Sequence, residues 1–205
     1  MASVATRIAR YTFDDFLSLV REDQKADLLD GVIYMASPES TDDNELGGWL
    51  YRLMGEYADE LDLGKMYYTR VAFRLGSLHG PEPDVAFVLA ENLHRIRRGY
   101  VDGPPDIAVE IVSPDSIDRD YVKKRERYEK AGVREYWIID PEQRRTLFLL
   151  RRRGKFREVA PVDNIFESAV LQGFRLDVRW LWSARRPAVS RTVRAMIARH
   201  GKLNR

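Results

Sequence analysis

Two short apolar runs in the middle of the chain, residues 84–89 and 107–112, constrain the fold more than any other feature. Polar side chains hardly interrupt either run, and this pattern is typical of β-strands that are covered on both faces. A sheet that is buried on both sides needs helices or further strands packed against each face. The two runs therefore predict an α/β protein with a central sheet flanked by helices.

The rest of the chain supplies helices and further strands around that sheet. Thr12 and Asp15 form a capping pattern before apolar residues at helical spacing, which predicts a first helix. Asp30 and Gly31 predict a hairpin turn within residues 26–35. This order of elements favours a mixed sheet with an N-terminal helix and hairpin. The other predicted elements are a helix at about residues 39–62, a strand at 66–75, a loop at 90–105 with room for a helical turn, a helix that Asp118 or a nearby residue caps and Gly132 ends, and paired strands at 135–139 and 146–150.

The charge of the chain is unevenly distributed. Its 205 residues fit a single domain over residues 1–183, followed by a basic tail over residues 184–205 that we expect to be helical. The tail has seven Lys or Arg residues and no acid, so the net charge of +2 leaves −5 for the remainder. Two interpretations stay open. The tail is either an amphipathic helix packed on the body or on a second subunit, or an arm that contacts nucleic-acid phosphates.

The composition excludes several classes of protein. The chain has no cysteine, which rules out disulfides and thiolate metal sites and suits a reducing cytoplasm. It shows neither an apolar signal segment nor an apolar run of membrane-spanning length. His79, His94 and His200 lack the spacing of a metal cluster, and no phosphate-binding Gly-rich loop or Gly-x-Ser-x-Gly motif occurs. We therefore expect a cytoplasmic protein that does not interact with membranes.

Glu110 lies inside the second apolar run, and Asp84 opens the first. An ionised carboxylate in such a run is costly unless it has a partner. Adjacent strands would place Asp84 and Glu110 side by side, where they repel each other unless a cation lies between them. Their oxygens are hard ligands that suit Mg²⁺ or Mn²⁺. The alternative, a buried ion pair between Glu110 and a Lys or Arg, stays open at this point.

Lys124 is the natural third member of such a site. Asp120, Lys124 and Tyr128 recur every four residues after Glu110 and therefore share one face of the predicted helix. A lysine on that face can reach a carboxylate of the sheet. The alternative is an ordinary surface pair between Asp120 and Lys124, which contributes little to stability.

Three motifs follow one another in the second half of the chain. They are Gly-Pro-Pro-Asp-Ile-Ala-Val-Glu-Ile-Val-Ser-Pro at 103–114, Arg-Asp-x-x-x-Lys-x-x-x-Tyr at 119–128, and Ala-Gly-Val-Arg-Glu-Tyr-Trp-Ile-Ile-Asp-Pro at 131–141. Together they resemble the Uma-two family of putative restriction endonucleases, which belongs to the PD-(D/E)XK nuclease superfamily. The resemblance covers roughly residues 11–182.

The resemblance implies a restriction-endonuclease-like fold and a divalent-metal site. In that superfamily an Asp and a Glu on neighbouring strands bind the metal, and here these residues would be Asp84 and Glu110. The backbone carbonyl of Ile111 would be a further ligand of Mg²⁺ or Mn²⁺. Asp27 matches a position where the family usually has Glu, and it is a further catalytic candidate.

The resemblance also implies a role for Lys124. A lysine of the superfamily helps to orient or deprotonate the attacking water and stabilises the phosphoryl transition state. That lysine usually stands two residues after the acid, where this chain has Val112. Lys124 matches a lysine that the family has displaced onto the following helix, which would restore the catalytic group.

These observations support one leading hypothesis and one alternative from a different class. The leading hypothesis is a metal-dependent endonuclease that hydrolyses DNA, acting as a homodimer because two symmetric sites would cut two strands. The alternative is a nuclease-fold protein with little or no turnover that binds nucleic acid or regulates a partner. The displaced lysine and Asp27 support the alternative. An RNase or structure-specific nuclease has the same sequence features as the leading hypothesis.

Overall fold

The computed structural model describes residues 10–21 and 23–203, apart from the side chains of residues 200, 202 and 203. Its α-helices are α1 (Phe13–Leu19), α2 (Thr41–Glu60), α3 (Arg125–Ala131) and α4 (Val189–Leu203). Ala90–Arg95 and Val178–Trp182 are 3₁₀-helical, and Arg119–Lys124 is π-helical. The strands are β1 (Ala26–Leu29), β2 (Val32–Met35), β3 (Gly64–Tyr68), β4 (Ala72–Phe73), β5 (Val85–Leu89), β6 (Ile96–Arg97), β7 (Tyr100–Val101), β8 (Ile107–Ile111), β9 (Glu135–Asp140), β10 (Arg145–Arg152), β11 (Lys155–Glu158), β12 (Ile165–Glu167) and β13 (Arg175–Asp177).

Six strands form a mixed central sheet in the order β11-β10-β9-β8-β5-β3. Strands β8 and β9 are parallel, and the other neighbours are antiparallel. The two apolar runs form β5 and β8 in the middle of this sheet. Their alternate side chains enter apolar clusters on opposite faces, with Phe87 and Val109 on one side and Ala86 and Ala108 on the other. The prediction of a mixed sheet that is covered on both faces is confirmed.

Helices α2 and α4 cover one face of the sheet. Ser40 caps α2 by accepting a hydrogen bond from the amide of Asp43, and the apolar stripe of this helix is buried against β5 and β8. The tail forms α4, which packs against α2 and buries Val193 and Met196, while Arg194 points to solvent. The side chain of His200 lies outside the described residues. No helix in the described part of the chain is long and apolar enough to cross a membrane.

The N-terminal helix and hairpin form as their sequence signals predict. Thr12 accepts a hydrogen bond from the amide of Asp15, and the Asp15 side chain accepts one from the amide of Thr12, which completes the capping box. Strands β1 and β2 pair antiparallel around Asp30 and Gly31, whose φ angles of 54° and 77° fit a type I′ turn. The hairpin places Asp27 within β1, where its side chain is buried.

Two predicted elements in the middle of the chain are wrong in their extent. The strand expected at 66–75 is divided, because Thr69 and Arg70 have φ angles of 43° and 48° that end β3 and lead into a different sheet. The loop expected at 90–105 does contain the helical turn that was expected there, as a 3₁₀-helix, but it also forms the short strands β6 and β7. Strand β7 pairs with both β4 and β6 and completes a small three-stranded sheet.

The helix predicted from Asp118 onward has two parts. A π-helical segment, Arg119–Lys124, continues into α3, and Gly132 ends α3 with a left-handed φ of 96° as predicted. Asp118 itself does not cap this helix, because it has helical backbone angles and its side chain caps no amide. The Asp118 carboxylate instead pairs with Lys123 at 2.8 Å. The two helical parts form the crossover between the parallel strands β8 and β9.

Candidate metal centre

Asp84 and Glu110 meet at the same end of neighbouring strands. Strand β5 begins directly after Asp84, and its register pairs Val85 with Val109 of β8, so that Asp84 lies opposite Glu110. The Asp84 side chain retains slight exposure, whereas Glu110 is 1% exposed. The Asp84 carboxylate accepts a 2.6 Å hydrogen bond from the amide of Ile111. The strand register therefore places Asp84 and Glu110 side by side, as predicted, with the amide of Ile111 against Asp84.

Lys124 connects Glu110 to the hairpin. Its ammonium group lies 2.9 Å from Glu110 Oε2, 2.9 Å from Asp27 Oδ2 and 3.4 Å from Asp120 Oδ1. The hydroxyl of Tyr128 donates to Glu110 Oε1 at 2.8 Å. Asp120, Lys124 and Tyr128 thus form one face that points into the protein. The alternative of a surface pair between Asp120 and Lys124 is wrong, since both side chains are buried.

Asp27 reaches the cluster from the hairpin rather than from the central sheet. Its Oδ2 faces Lys124, and its Oδ1 accepts a 2.9 Å hydrogen bond from the backbone amide of Glu82. Glu82 in turn accepts a hydrogen bond from the amide of Ala26. Burial raises the pKa of the Glu82 carboxyl to about 7. Two reciprocal contacts therefore fix the hairpin to the segment that precedes Asp84.

Lys25 is a member of the site that the sequence reasoning did not find. Its ammonium group hydrogen-bonds Asp84 Oδ1 and lies 3.8 Å from Glu39. The sequence does contain a signal for Lys25. This lysine stands two residues before Asp27, and side chains two residues apart in an extended chain lie on the same side. Each of the two strand-end carboxylates therefore has an ammonium partner, Lys25 for Asp84 and Lys124 for Glu110.

These side chains line one cavity of about 350 Å³ at the end of β5 and β8. Its walls come from the hairpin, the start of α2, the two strand ends and the π-helical segment. The cavity connects the buried cluster to the surface near Asp84 and Lys25, which are partly exposed. The lining residues that carry charge are Lys25, Asp27, Glu39, Asp43, Asp84, Glu110, Asp115, Arg119, Asp120 and Lys124.

Burial dominates the electrostatics of this cluster. It raises the pKa of Glu110 well above the ordinary value, although the charge of Lys124 opposes the rise. It raises the pKa of Asp120 to about 6, against the effects of Lys124 and of a hydrogen bond from Ser116. Burial alone would lower the pKa of Lys124, but the carboxylates of Asp27, Glu110, Asp120 and Asp84 raise it well above the ordinary value. Lys124 therefore stays charged at neutral pH.

The donor set fits a divalent cation in chemistry and in charge. Four carboxylates (Asp27, Asp84, Glu110 and Asp120) face two ammonium groups (Lys25 and Lys124), which leaves a net charge of −2 when all are ionised. Asp120 Oδ1 is buried and has no hydrogen-bond partner among the described residues. Carboxylate oxygens are the ligands that Mg²⁺ and Mn²⁺ prefer.

The carboxylates are nevertheless not arranged as a complete set of metal ligands. Among the described residues, no group of three or more acidic or histidine side chains has the geometry to hold a metal ion. The ammonium groups of Lys25 and Lys124 occupy the oxygens that a cation would take. A divalent ion could bind only where a carboxylate exchanges its ammonium partner, and Lys25 is the more exposed of the two lysines. The roles of Asp27, Asp84, Glu110, Ile111 and Lys124 stay predictions.

Comparison with known proteins agrees with this architecture. A search of curated proteins found no match. The fold resembles the crystal structure of a putative nuclease belonging to DUF820 from Anabaena variabilis, with a TM-score of 0.70 and 18% sequence identity. The match covers 83% of this chain and 97% of that one. The family model described as a putative restriction endonuclease matches residues 13–179, which is most of the chain. The chain belongs to this family, Uma2.

Proposed function

We propose that this protein is a metal-dependent endonuclease that hydrolyses phosphodiester bonds in DNA. The single observation that carries the proposal is the position of Asp84 directly opposite Glu110, with Lys124 in contact with Glu110, on the wall of one cavity. Membership of a family of putative restriction endonucleases supports the same class of reaction.

Asp84, Glu110 and the carbonyl of Ile111 are the groups that would hold Mg²⁺ or Mn²⁺. A bound divalent ion supplies Lewis acidity, since it acidifies water and neutralises the charge that develops on the phosphate. The chain itself supplies the geometry. Strand pairing fixes Asp84 against Glu110, and the hydroxyl of Tyr128 orients the Glu110 carboxylate. In the reaction, water attacks phosphorus and the bond to the leaving oxygen breaks.

Lys124 would act on the water and the phosphate, and Asp27 would position Lys124. The permanent charge of Lys124 at the cavity wall favours a developing negative charge on the phosphate. Asp27 holds the lysine from the hairpin side at 2.9 Å. We further propose a homodimer in the cytoplasm, since paired sites cut both strands of a duplex and a cysteine-free chain suits a reducing compartment.

One observation favours a second function, a nuclease-fold protein without turnover that binds nucleic acid or regulates a partner. Lysine ammonium groups contact both candidate metal-binding carboxylates, Asp84 and Glu110. A protein in which these ion pairs persist in millimolar Mg²⁺ would keep the fold of a nuclease and lose its chemistry.

Cleavage of supercoiled plasmid DNA distinguishes the two functions. The wild-type protein should nick the plasmid in Mg²⁺ or Mn²⁺ and stop when EDTA is added. Asp84→Asn, purified in parallel, should be inactive, which excludes a contaminating nuclease. Lys123→Ala is the matched control, because Lys123 adjoins Lys124 in sequence but pairs with Asp118 at the surface. Equal activity of the wild type and Asp84→Asn would refute the proposal, and an RNA substrate run in parallel establishes which nucleic acid is cut.

A further inference from the structure

Arg119 has an unusual environment for a buried guanidinium group. It is the first residue of the π-helical segment that also carries Lys124, and it lines the same cavity. Its side chain is only 12% exposed. Its Nε is buried without a hydrogen-bond partner, and no hydrogen bond joins any part of its guanidinium to the residues that the structure describes. A guanidinium has five donors, and leaving buried donors unpaired is costly.

The two carboxylates nearest to Arg119 are already satisfied by other groups. Asp27 Oδ2 lies 3.8 Å from Arg119 Nε and Asp115 Oδ2 lies 3.9 Å from Nη2, both beyond hydrogen-bond distance. The oxygens of Asp27 accept from Lys124 and from the amide of Glu82. Those of Asp115 accept from the hydroxyls of Ser113 and Ser37. The donors of Arg119 are therefore left for whatever enters the cavity.

Arg119 also differs from the other cations of the cavity. Lys25 is hydrogen-bonded to Asp84, and Lys124 is shared by three carboxylates. Of the cations that line the cavity in the described part of the chain, Arg119 is the one without a carboxylate at hydrogen-bond distance. A planar fork of N–H donors matches two oxygens of a phosphate group.

We propose that Arg119 binds a phosphate of the nucleic-acid backbone and positions it against Asp84 and Glu110. The inference rests on the proposed function, since it names the group that anchors the substrate of that site. Seven carboxylates line the cavity and repel a phosphate, and a cation that hydrogen-bonds none of them offsets this repulsion. The ring of Tyr34 lies 5.7 Å from the guanidinium carbon and limits its movement.

Lys123 provides a matched control for Arg119. Both cations contact the ring of Tyr34, since Lys123 Nζ lies 5.0 Å from the ring centroid. Lys123, however, does not line the cavity and already pairs with Asp118 at 2.8 Å. The two residues thus share a segment, a charge and an aromatic neighbour. They differ in access to the cavity and in the availability of their donors.

The test measures the affinity of a short fluorescein-labelled DNA duplex by fluorescence anisotropy, in Ca²⁺ and over a range of salt concentrations. Arg119→Gln should weaken binding by about ten- to a hundredfold, as expected for loss of a charged hydrogen bond. It should also reduce the slope of log affinity against log salt by about 0.9, because one phosphate contact is lost. Arg119→Lys should keep the wild-type slope with weaker affinity, and Lys123→Gln should change neither quantity.

Four further outcomes bear on the role of Arg119. If a thermal melt shows that Arg119→Gln is not folded, the DNA affinity of Arg119→Lys is the test. An affinity equal to that of the wild type overturns the proposal. Equal losses in Arg119→Gln and Lys123→Gln also overturn it, because they indicate a diffuse basic surface. If Arg119→Gln cleaves plasmid DNA at the rate of the wild type, the role of Arg119 is refuted and the nuclease function is unaffected. If the wild type binds the duplex through Arg119 but does not cleave plasmid DNA, the role of Arg119 is supported and the nuclease function is refuted.

Discussion

Replacement of Lys124 by Met tests whether this single buried charge holds the acidic cluster together. Lys124 is 3% exposed and contacts Asp27, Glu110 and Asp120 at 2.9–3.4 Å. Met preserves most of the side-chain volume and removes the charge, so the change isolates the electrostatic contribution. In the variant the three carboxylates lose the ammonium group that they share, while they remain buried.

The expected loss is large because an unpaired buried charge is costly. Removing one partner of a buried ion pair costs about 3–5 kcal/mol, and we expect the free energy of unfolding to fall by this amount at about pH 8. Burial already raises the pKa of Asp120 to about 6, and Lys124 counteracts that rise. A carboxyl with a raised pKa in the folded state stabilises the fold below its ordinary pKa of 3.8, and this stability is lost as the pH rises through about 6. The variant should therefore be closer to the wild type at about pH 5 than at about pH 8.

Urea unfolding followed by circular dichroism at the two pH values measures the effect. Lys123→Met is the control. Its ion pair with Asp118 is exposed, and such pairs contribute at most about 1 kcal/mol. A Lys124→Met variant that loses less than about 1 kcal/mol at both pH values would refute the reasoning. The cluster would then be held by the hairpin and the sheet without this charge.

Three further predictions concern other parts of the same molecule. Mg²⁺ or Mn²⁺ should raise the melting temperature of the wild type and leave Asp84→Asn unchanged, whereas an equal rise in both would place the ion elsewhere. Glu82→Gln should raise the free energy of unfolding by roughly 3 kcal/mol at about pH 8 and leave it unchanged at about pH 4, because burial raises the pKa of Glu82 to about 7 in the folded state. Urea unfolding at both pH values checks this prediction, and equal stability of Glu82→Gln and wild type at the higher pH would contradict it. Truncation after Ser183 should lower the free energy of unfolding by about 3–6 kcal/mol. It removes the buried side chains of Val193 and Met196 and exposes the apolar surface that they cover. A truncated protein with wild-type stability and a smaller salt dependence of DNA binding would instead make the tail a phosphate-contacting arm.

The parts of the site that lie on regular elements were predictable from the sequence. An acid within an apolar run identified Glu110, because few structures other than a buried strand accommodate such a run. Helical periodicity then placed Asp120, Lys124 and Tyr128 on one face, and that face does contact Glu110. Local periodicity was sufficient here because the π-helical segment keeps these side chains on the same side of the crossover.

Contacts between distant segments were not predictable in the same way. Lys25 and Asp84 form an ion pair although they are 59 residues apart in sequence. The local sequence does not indicate which carboxylate will contact a lysine of the hairpin. The break at Thr69 and Arg70 was missed because neither residue is a Gly or Pro, although both adopt left-handed backbone angles. The free donors of Arg119 depend on which carboxylates have found other partners, and this follows only from the complete set of contacts.

The charge balance of the cluster explains how such a site can fold before it holds an ion. Two buried or partly buried lysines compensate part of the charge of Asp84 and Glu110, and the raised pKa of Glu110 shows that this carboxyl retains its proton more readily than an exposed one. A divalent ion bound at the proposed site would take over part of the role of the lysines and would require ionised ligands. Metal binding should therefore strengthen as the pH rises, because it requires the Glu110 carboxyl to lose its proton. If the proposed metal site forms, the cluster should favour the metal-free fold at lower pH and the metal-bound site at higher pH.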